Sequence, residues 1–140
     1  MFSLHPRLKE DAFWIEDLPL CRALLMNASC VPWVILVPRR ENLREIHELA
    51  PEDQPLLMKE IAEVSGMIAE HWRSDKVNVG ALGNIVPQLH VHVVGRFQKD
   101  PAWPGPIWGK GPFAAYSEAS LEKTLTQMRQ GFKKSAFGNS

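Results

Sequence analysis

The amino-acid sequence predicts an α+β domain, and three patterns along the chain lead to that prediction. Residues 31–38 form a nearly continuous apolar run, rich in β-branched side chains and bracketed by prolines, which is typical of a central strand buried on both faces. Residues 52–72 repeat apolar side chains at helical spacing, and residues 120–133 do so again. Strands combined with a long helix and a terminal helix indicate the α+β class.

Shorter segments complete the expected sheet. Four of them have the composition of short strands or apolar runs closed by turn residues: 12–17, 21–26, 76–79 and 88–94. Gly80, Gly83 and Asn84 mark a tight loop before the last segment. Residues 95–112 are rich in proline and glycine and predict a long irregular loop, which in a compact domain is often functional. Residues 135–140 are expected to fray.

The composition argues against several classes of protein. The chain has 140 residues, the size of one domain, with 16 basic and 16 acidic side chains. Because dedicated nucleic-acid binders usually carry a basic excess, we expect no nucleic-acid polymer as partner. The first residues lack the pattern of a signal peptide, and no window has the ~20 apolar residues of a membrane span. We therefore expect a cytoplasmic protein without a membrane partner, in which Cys21 and Cys30 are buried, reduced thiols.

Segment 88–94 separates polar from apolar side chains. Side chains alternate along a strand, so the two kinds fall on opposite faces. One face carries Gln88, His90 and His92, and the other carries Leu89, Val91 and Val93. Two imidazoles and an amide in a row are costly to bury without partners. The apolar face is therefore predicted to pack on the core, and the polar face to line a functional site.

Two histidines two residues apart on a strand are also a common start of a metal site. Such a site needs a third protein ligand, and no cysteine or carboxylate lies near the pair in the sequence. The remaining histidines, His5, His47 and His71, are distant along the chain, although folding can bring distant residues together. The sequence favours a site without metal, and a metal-binding protein stays an alternative.

The sequence around these histidines resembles the histidine triad (HIT) family. Residues 84–94 are similar to its signature, in which three histidines alternate with apolar residues after a Gly-Gln or Gly-Asn pair. Further similar features are Asn27 before the strand that ends at residues 37–39, the helix start at 49–52 and the Gly83-Asn84 turn. The resemblance covers about residues 11–97 of a single domain, 1–140, with a C-terminal loop and helix in 98–140. It implies a HIT-like fold: an antiparallel sheet of about five strands with a long helix packed against it, usually as a homodimer.

The resemblance also implies roles for individual residues. His90 holds the position of the histidine that attacks phosphorus, and His92 that of the histidine that contacts the phosphate oxygens. Asn27, Gly83 and Asn84 correspond to positions that contact the nucleotide or its phosphate.

The first triad position departs from the family pattern, because it holds Gln88 and not histidine. Glutamine keeps the backbone carbonyl that can orient the ring of His90, and its amide can donate a hydrogen bond. It cannot carry a charged proton near neutral pH. We therefore expect the substitution to impair protonation of the leaving group more than the nucleophilicity of His90.

The leading hypothesis is a metal-independent nucleotide hydrolase or nucleotidyl transferase that needs no cofactor. Its expected substrates are dinucleoside polyphosphates, nucleoside phosphoramidates or similar conjugates. A neutral imidazole attacks phosphorus well and also leaves well, so it can divide one displacement into two. The alternatives are a nucleotide-binding module with little turnover and the metal-binding protein.

Other residues are weaker candidates for the site. Arg39, Arg40 and Arg96 are possible phosphate-steering groups, and solvated surface positions explain them as well. Trp103 and Trp108 fit stacking on a base, closure of a partner's site in a dimer, or ordinary loop packing. Trp33 is expected in the core.

Overall fold

The structure is a computed structural model that describes residues 1–135, and an antiparallel five-stranded sheet forms its centre. The strands are β1 (Ala12–Asp17), β2 (Cys21–Met26), β3 (Trp33–Pro38), β4 (Lys76–Gly80) and β5 (Val91–Arg96). They lie in the order β1-β2-β3-β5-β4, and each neighbouring pair is antiparallel. The predicted fold class is confirmed. Fraying is expected for residues 135–140, and of these residues 136–140 lie outside the described part.

Three α-helices accompany the sheet: α1 (Pro6–Asp11), α2 (Asp53–Trp72) and α3 (Glu118–Lys134). Helix α2 begins one residue after the predicted start, and α3 begins where the Ser117 side chain caps the amide of Ser120. Helix α1 was not predicted, because its six residues are too few to show a helical period. No helix among the described residues is long and apolar enough to cross a membrane.

One face of the sheet, here called the helix face, packs against α2 and α3. The predicted apolar set is confirmed there, because Leu89, Val91 and Val93 lie in one buried cluster with side chains of both helices. Strand β3 contributes to the interior on both faces, and all six of its residues are buried, as the sequence predicts. The helix face thus forms an ordinary apolar core.

The opposite face, here called the histidine face, is covered by irregular segments and not by a long helix. Residues 1–11, here called the N-terminal strap, bury Leu4 and Leu8 against it. Residues 97–113, here called the covering loop, bury Ile107 in the same cluster. The predicted long irregular loop is therefore present, and it forms one wall of the histidine face.

Strand β5 begins at Val91, three residues later than the predicted start at residue 88. Its pairing with β3 ends at Leu36–Val91, and its pairing with β4 ends at Gly80–His92. Ahead of that point the Leu89 amide bonds to the Leu43 carbonyl, 2.9 Å away, in a loop. The β3–β5 pairing stops at Leu36 although β3 itself continues to Pro38, and the Leu89 amide bonds to a loop instead.

Candidate active site

His90 lies immediately before β5 and is 7% exposed. Its Nδ1 atom lies 2.7 Å from the backbone carbonyl oxygen of Gln88. A carbonyl oxygen can only accept a hydrogen bond, so Nδ1 must carry the proton. In the neutral form of the ring this contact places the lone pair on Nε2, the nitrogen that a nucleophile would use.

His92 lies within β5 and is 8% exposed. Its Nδ1 atom accepts a 2.9 Å hydrogen bond from the indole Nε1–H of Trp33. An indole nitrogen only donates, so the proton of the neutral imidazole is on Nε2. Burial, with the neighbouring His90 as a second cause, lowers the pKa of His92 to about 4, so this ring is neutral at physiological pH.

The two imidazoles are neighbours with opposite tautomers. Their ring centroids lie 5.0 Å apart at an interplanar angle of 72°. His90 presents a lone pair on Nε2, whereas His92 presents an N–H on Nε2. A tetrahedral or planar oxyanion group placed between them could be attacked by one ring while the other donates to one of its oxygens.

His92 lines a cavity of about 530 Å³ on the histidine face. Aromatic side chains of Trp33, Trp108 and Phe113 line it, together with residues of the strap, of the covering loop and of the segment 26–28. The size lies within the usual range of small-molecule sites. Flat apolar walls suit an aromatic base, and exposed Lys110 adds a cation at the rim.

His90 lines a second cavity of about 400 Å³. Arg44, His47 and Gln54 also line it, together with Gly83 of the predicted phosphate-contacting turn. Gly83 has φ of +76°, a left-handed conformation that favours glycine. The attacking ring and Gly83 are thus brought together at this cavity.

The remaining predicted contact residues take different positions. Asn27 lines the cavity of His92, and its Oδ1 atom accepts a 2.9 Å bond from the Tyr116 amide. Asn84 is exposed and lines neither of the two cavities. The structure therefore joins Asn27 to His92 and Gly83 to His90, and it leaves Asn84 outside.

The Gln88 side chain points to a partner that the sequence did not reveal. Its Oε1 atom accepts from the His5 amide at 2.8 Å, and its Nε2 atom donates to the Ser3 carbonyl at 2.9 Å. Both partners are backbone groups of the N-terminal strap. The amide that was expected to be available for a hydrogen bond at the site is thus engaged with the strap.

The three arginines considered for phosphate steering are engaged with protein groups. Arg40 forms two hydrogen bonds to Asp53, and Arg39 donates to the carbonyl groups of Leu18 and Pro19. Arg96 is no surface residue, since the Arg96 and Asp100 side chains are each 1% exposed and paired at 2.8 Å.

The covering loop is held by that buried pair. Hydrogen bonds from Arg96 lower the pKa of Asp100 to about 2, and the carboxylate also accepts from three backbone amides of the loop. Trp108 packs over Gly80, where an added Cβ would meet its ring at 3.0 Å, and its ring centroid lies 5.7 Å from that of His92. Trp103 stacks against Arg96 and does not line the His92 cavity.

Trp33 is the main functional candidate that sequence reasoning missed. It is 4% exposed, so the expectation of a core residue is correct, but its indole also fixes the tautomer of His92. Trp33 pairs with Val94 across β3 and β5, which places it on the same face as His92. Only the register of these strands reveals that relation, and the sequence alone does not give it.

The metal alternative depends on a third ligand. Within residues 1–135, no group of three or more histidine, cysteine, aspartate or glutamate side chains is placed to hold a metal ion. His47 lines the cavity of His90, yet it does not complete such a group.

The sheet, its helices and the paired imidazoles before and within β5 define a class of protein: an α+β domain of the histidine triad type. The HIT domain family matches residues 7–99, and the chain belongs to that family.

Solved structures agree with this assignment. A histidine triad protein from Marinobacter aquaeolei VT8 is 46% identical with a TM-score of 0.93, covering 97% of this chain and 99% of that one. A histidine triad protein from Bradyrhizobium japonicum is 43% identical with a TM-score of 0.90, covering 93% and 97%. A hypothetical histidine triad nucleotide-binding protein from Sulfolobus tokodaii strain7, at 16% identity and a TM-score of 0.67, covers 95% and 93% and shows the fold alone. No curated protein sequence matches the chain.

Proposed function

We propose that this protein is a nucleotide hydrolase or nucleotidyl transferase in which His90 forms a covalent intermediate. Its substrates are dinucleoside polyphosphates, nucleoside phosphoramidates or similar conjugates. In the first step a bond forms between His90 Nε2 and the α-phosphorus while the bond to the leaving group breaks. In the second step water attacks phosphorus, the N–P bond breaks, and a nucleoside monophosphate is released.

The observation that carries this proposal is the pair of opposite tautomers at His90 and His92. The Gln88 carbonyl directs the lone pair of His90 to Nε2, and Trp33 directs the N–H of His92 to Nε2. A nucleophilic nitrogen and a neutral donor on neighbouring rings match what displacement at phosphorus requires. A polyphosphate leaving group departs as an anion and requires no acid at position 88, whereas the amine of a phosphoramidate takes a proton from solvent as its P–N bond breaks.

The cavity beside His92 supports a nucleotide as the substrate. Its aromatic walls from Trp33, Trp108 and Phe113 suit a base, and Asn27 supplies an amide among them. Lys110 is exposed at the rim and suits a phosphate.

We also propose that the protein is a homodimer. Strand β4 is at an edge of the sheet, where exposed strands tend to associate. Val79, Leu82 and Ile85 are 47%, 47% and 79% exposed on and after this strand. A second copy of the chain would cover these apolar side chains, and sedimentation velocity would measure the mass.

The proposed activity is tested by measuring both nucleotide turnover and nucleotide binding in the wild type and in His90→Ala. Wild-type protein should release adenosine monophosphate from diadenosine tetraphosphate or from an adenosine phosphoramidate. His90→Ala should lose turnover yet still bind adenosine monophosphate in calorimetry, because it leaves the aromatic cavity intact. Turnover by His90→Ala at the wild-type rate would exclude this mechanism, and binding without turnover by the wild type would favour the binding module.

The same assay separates the proposal from a metalloenzyme. Activity should persist after exhaustive EDTA treatment, apart from any magnesium that the substrate itself needs. Tightly bound zinc at one equivalent per chain, with activity lost on its removal and regained on readdition, would establish the metal alternative.

A further inference from the structure

The side chain of Gln88 is bound at both of its polar atoms, and its backbone carbonyl holds the ring of His90. The two side-chain bonds, to the His5 amide and the Ser3 carbonyl, are here called the strap clasp. The carbonyl bond to His90 Nδ1 is 2.7 Å long. One residue therefore connects the N-terminal strap to the imidazole that is proposed to attack phosphorus.

The Gln88–Leu89 peptide is held from two sides. Its N–H donates to the Leu43 carbonyl at 2.9 Å, and the strap clasp holds the side chain of Gln88. The strap and residues 40–44 enclose a cavity of about 540 Å³ beside Gln88, and the Met1 ammonium pairs with Glu41 across it. The buried Leu89 side chain anchors this peptide in the core, and the hydrogen bonds to Leu43 and to the strap add directional restraints on its orientation.

We propose that Gln88 is a positioning residue: the strap clasp fixes the Gln88 carbonyl, and that carbonyl holds His90 in the tautomer that presents Nε2. This inference rests on the proposed function of His90. It also explains why glutamine can stand at the first triad position, since its side chain has a structural partner and takes no part in proton transfer.

The clasp needs a hydrogen-bond acceptor and a donor at the same distance from the backbone of residue 88. The oxygen and nitrogen of a primary amide provide them. A carboxylate in Gln88→Glu keeps the bond to the His5 amide and cannot donate to Ser3. The imidazole of Gln88→His has its two nitrogens at different distances from the backbone, so it can replace one bond and not both. Gln88→His is therefore expected to lower turnover. If turnover were instead limited by the lack of a proton donor at position 88, the same substitution would raise it.

Nitrogen NMR of the His90 ring tests the clasp without any turnover. In protein labelled with ¹⁵N-histidine and studied above pH 7, the His90 signals are assigned by their loss in His90→Asn. We expect the wild type to show a protonated Nδ1. Gln88→Met removes both bonds at similar volume, and we expect its His90 signals to average between two tautomers, because the carbonyl is no longer fixed.

A second variant breaks the clasp from the strap side. His5 has φ of −55°, so proline fits the backbone at this position. His5→Pro removes the imidazole ring and the backbone N–H that donates to Gln88 Oε1. The matched control, His5→Ala, also removes the ring but keeps the N–H. His5→Pro should shift the His90 tautomer toward the mixture, and His5→Ala should keep the wild-type nitrogen spectrum. This pair decides the question even where Gln88→Met folds poorly.

Kinetics give an independent readout. Misplacing a reacting group by about 1 Å can cost up to ~100-fold in rate, so we expect kcat of Gln88→Met to fall by about tenfold. KM should change less, because Gln88 does not line the cavity of His92. Wild-type tautomer and kcat in both Gln88→Met and His5→Pro would overturn the proposal, and so would a loss of kcat with an unchanged tautomer. If the variants shift the His90 tautomer but the wild type turns over no nucleotide, the positioning role of Gln88 is supported and the proposed function is refuted.

Discussion

The two faces of the sheet are held in different ways. On the helix face, α2 and α3 bury apolar side chains such as Val64, Ile68 and Met128. On the histidine face, irregular segments bury Leu4, Leu8 and Ile107 in a second apolar cluster, and individual polar contacts of Gln88 and Asp100 also fix them. Apolar packing is non-directional, whereas a hydrogen bond fixes an atom. Changes on the helix face should therefore affect stability alone, and changes on the histidine face should also affect the geometry of the imidazoles.

Removing the carboxylate of Asp100 should have the largest effect. Asp100→Ala leaves the Arg96 guanidinium buried without its partner, which typically costs about 3–5 kcal/mol of the free energy of unfolding. Urea unfolding measures this loss. The control is Asp17→Ala, whose pair with Arg22 is about one-third exposed and should contribute ~0–1 kcal/mol. Equal losses in the two variants would mean that the buried pair does not anchor the covering loop.

Acidification should destabilise the histidine face through His92. The folded protein keeps His92 neutral down to about pH 4, while the unfolded chain protonates it near its ordinary pKa of 6.5. Its contribution is fully present above pH 6.5 and is lost as the pH falls toward 4. Relative to His92→Gln, the wild type should lose on the order of 2–3 kcal/mol across that window. Parallel stability curves for the two proteins would contradict a buried neutral His92.

The indole N–H of Trp33 should matter for rate more than for stability. Trp33→Phe keeps an aromatic ring against His92 but removes the donor to Nδ1, so the tautomer of His92 is no longer fixed. We expect kcat to fall by about tenfold, with a loss of ~1 kcal/mol in stability. The control Trp14→Phe concerns an exposed ring on β1 and should keep the wild-type kcat. Similar rates in all three proteins would remove Trp33 from the mechanism.

A small cavity created on the helix face should cause the smallest change, a modest loss of stability with no loss of kcat. Ile68→Val removes one buried methyl group, which typically costs about 0.5–1.5 kcal/mol. Because Ile68 packs on the face opposite the imidazoles, kcat measured well below the melting temperature should stay at the wild-type value. A fall in kcat as large as that in Trp33→Phe would show that the two faces are coupled.

The sequence predicts the helix face well because its evidence is periodic. The apolar repeat of residues 52–72 gives α2 to within one residue, and the continuous run at 31–38 gives the buried central strand. The start of β5 was predicted wrongly because a strand's limit depends on where its pairing with other strands stops, here at Leu36 within β3 and at Gly80 at the end of β4. The residue types in segment 88–94 do not indicate where this pairing stops.

On the histidine face, the sequence predicts the shared orientation of His90 and His92 but not their partners. The Trp33 indole lies 59 positions from His92 and reaches it only through the β3–β5 register. The partners of Gln88 are backbone groups of Ser3 and His5. Because every residue type has these backbone groups, the sequence does not reveal which residues will supply them. Arg96 was considered a possible surface residue, because no local pattern shows that Asp100 folds back onto it.

Direct trapping of the intermediate tests the central claim that His90 Nε2 attacks phosphorus. Wild-type protein is mixed rapidly with diadenosine tetraphosphate labelled with ³²P at the α-phosphate, quenched in alkali within milliseconds and digested for peptide mapping. The account predicts an acid-labile, alkali-stable label on the peptide that contains His90, formed as fast as kcat requires and absent from His90→Ala. A label on another residue, or steady turnover with no label on the protein at any time, would contradict it.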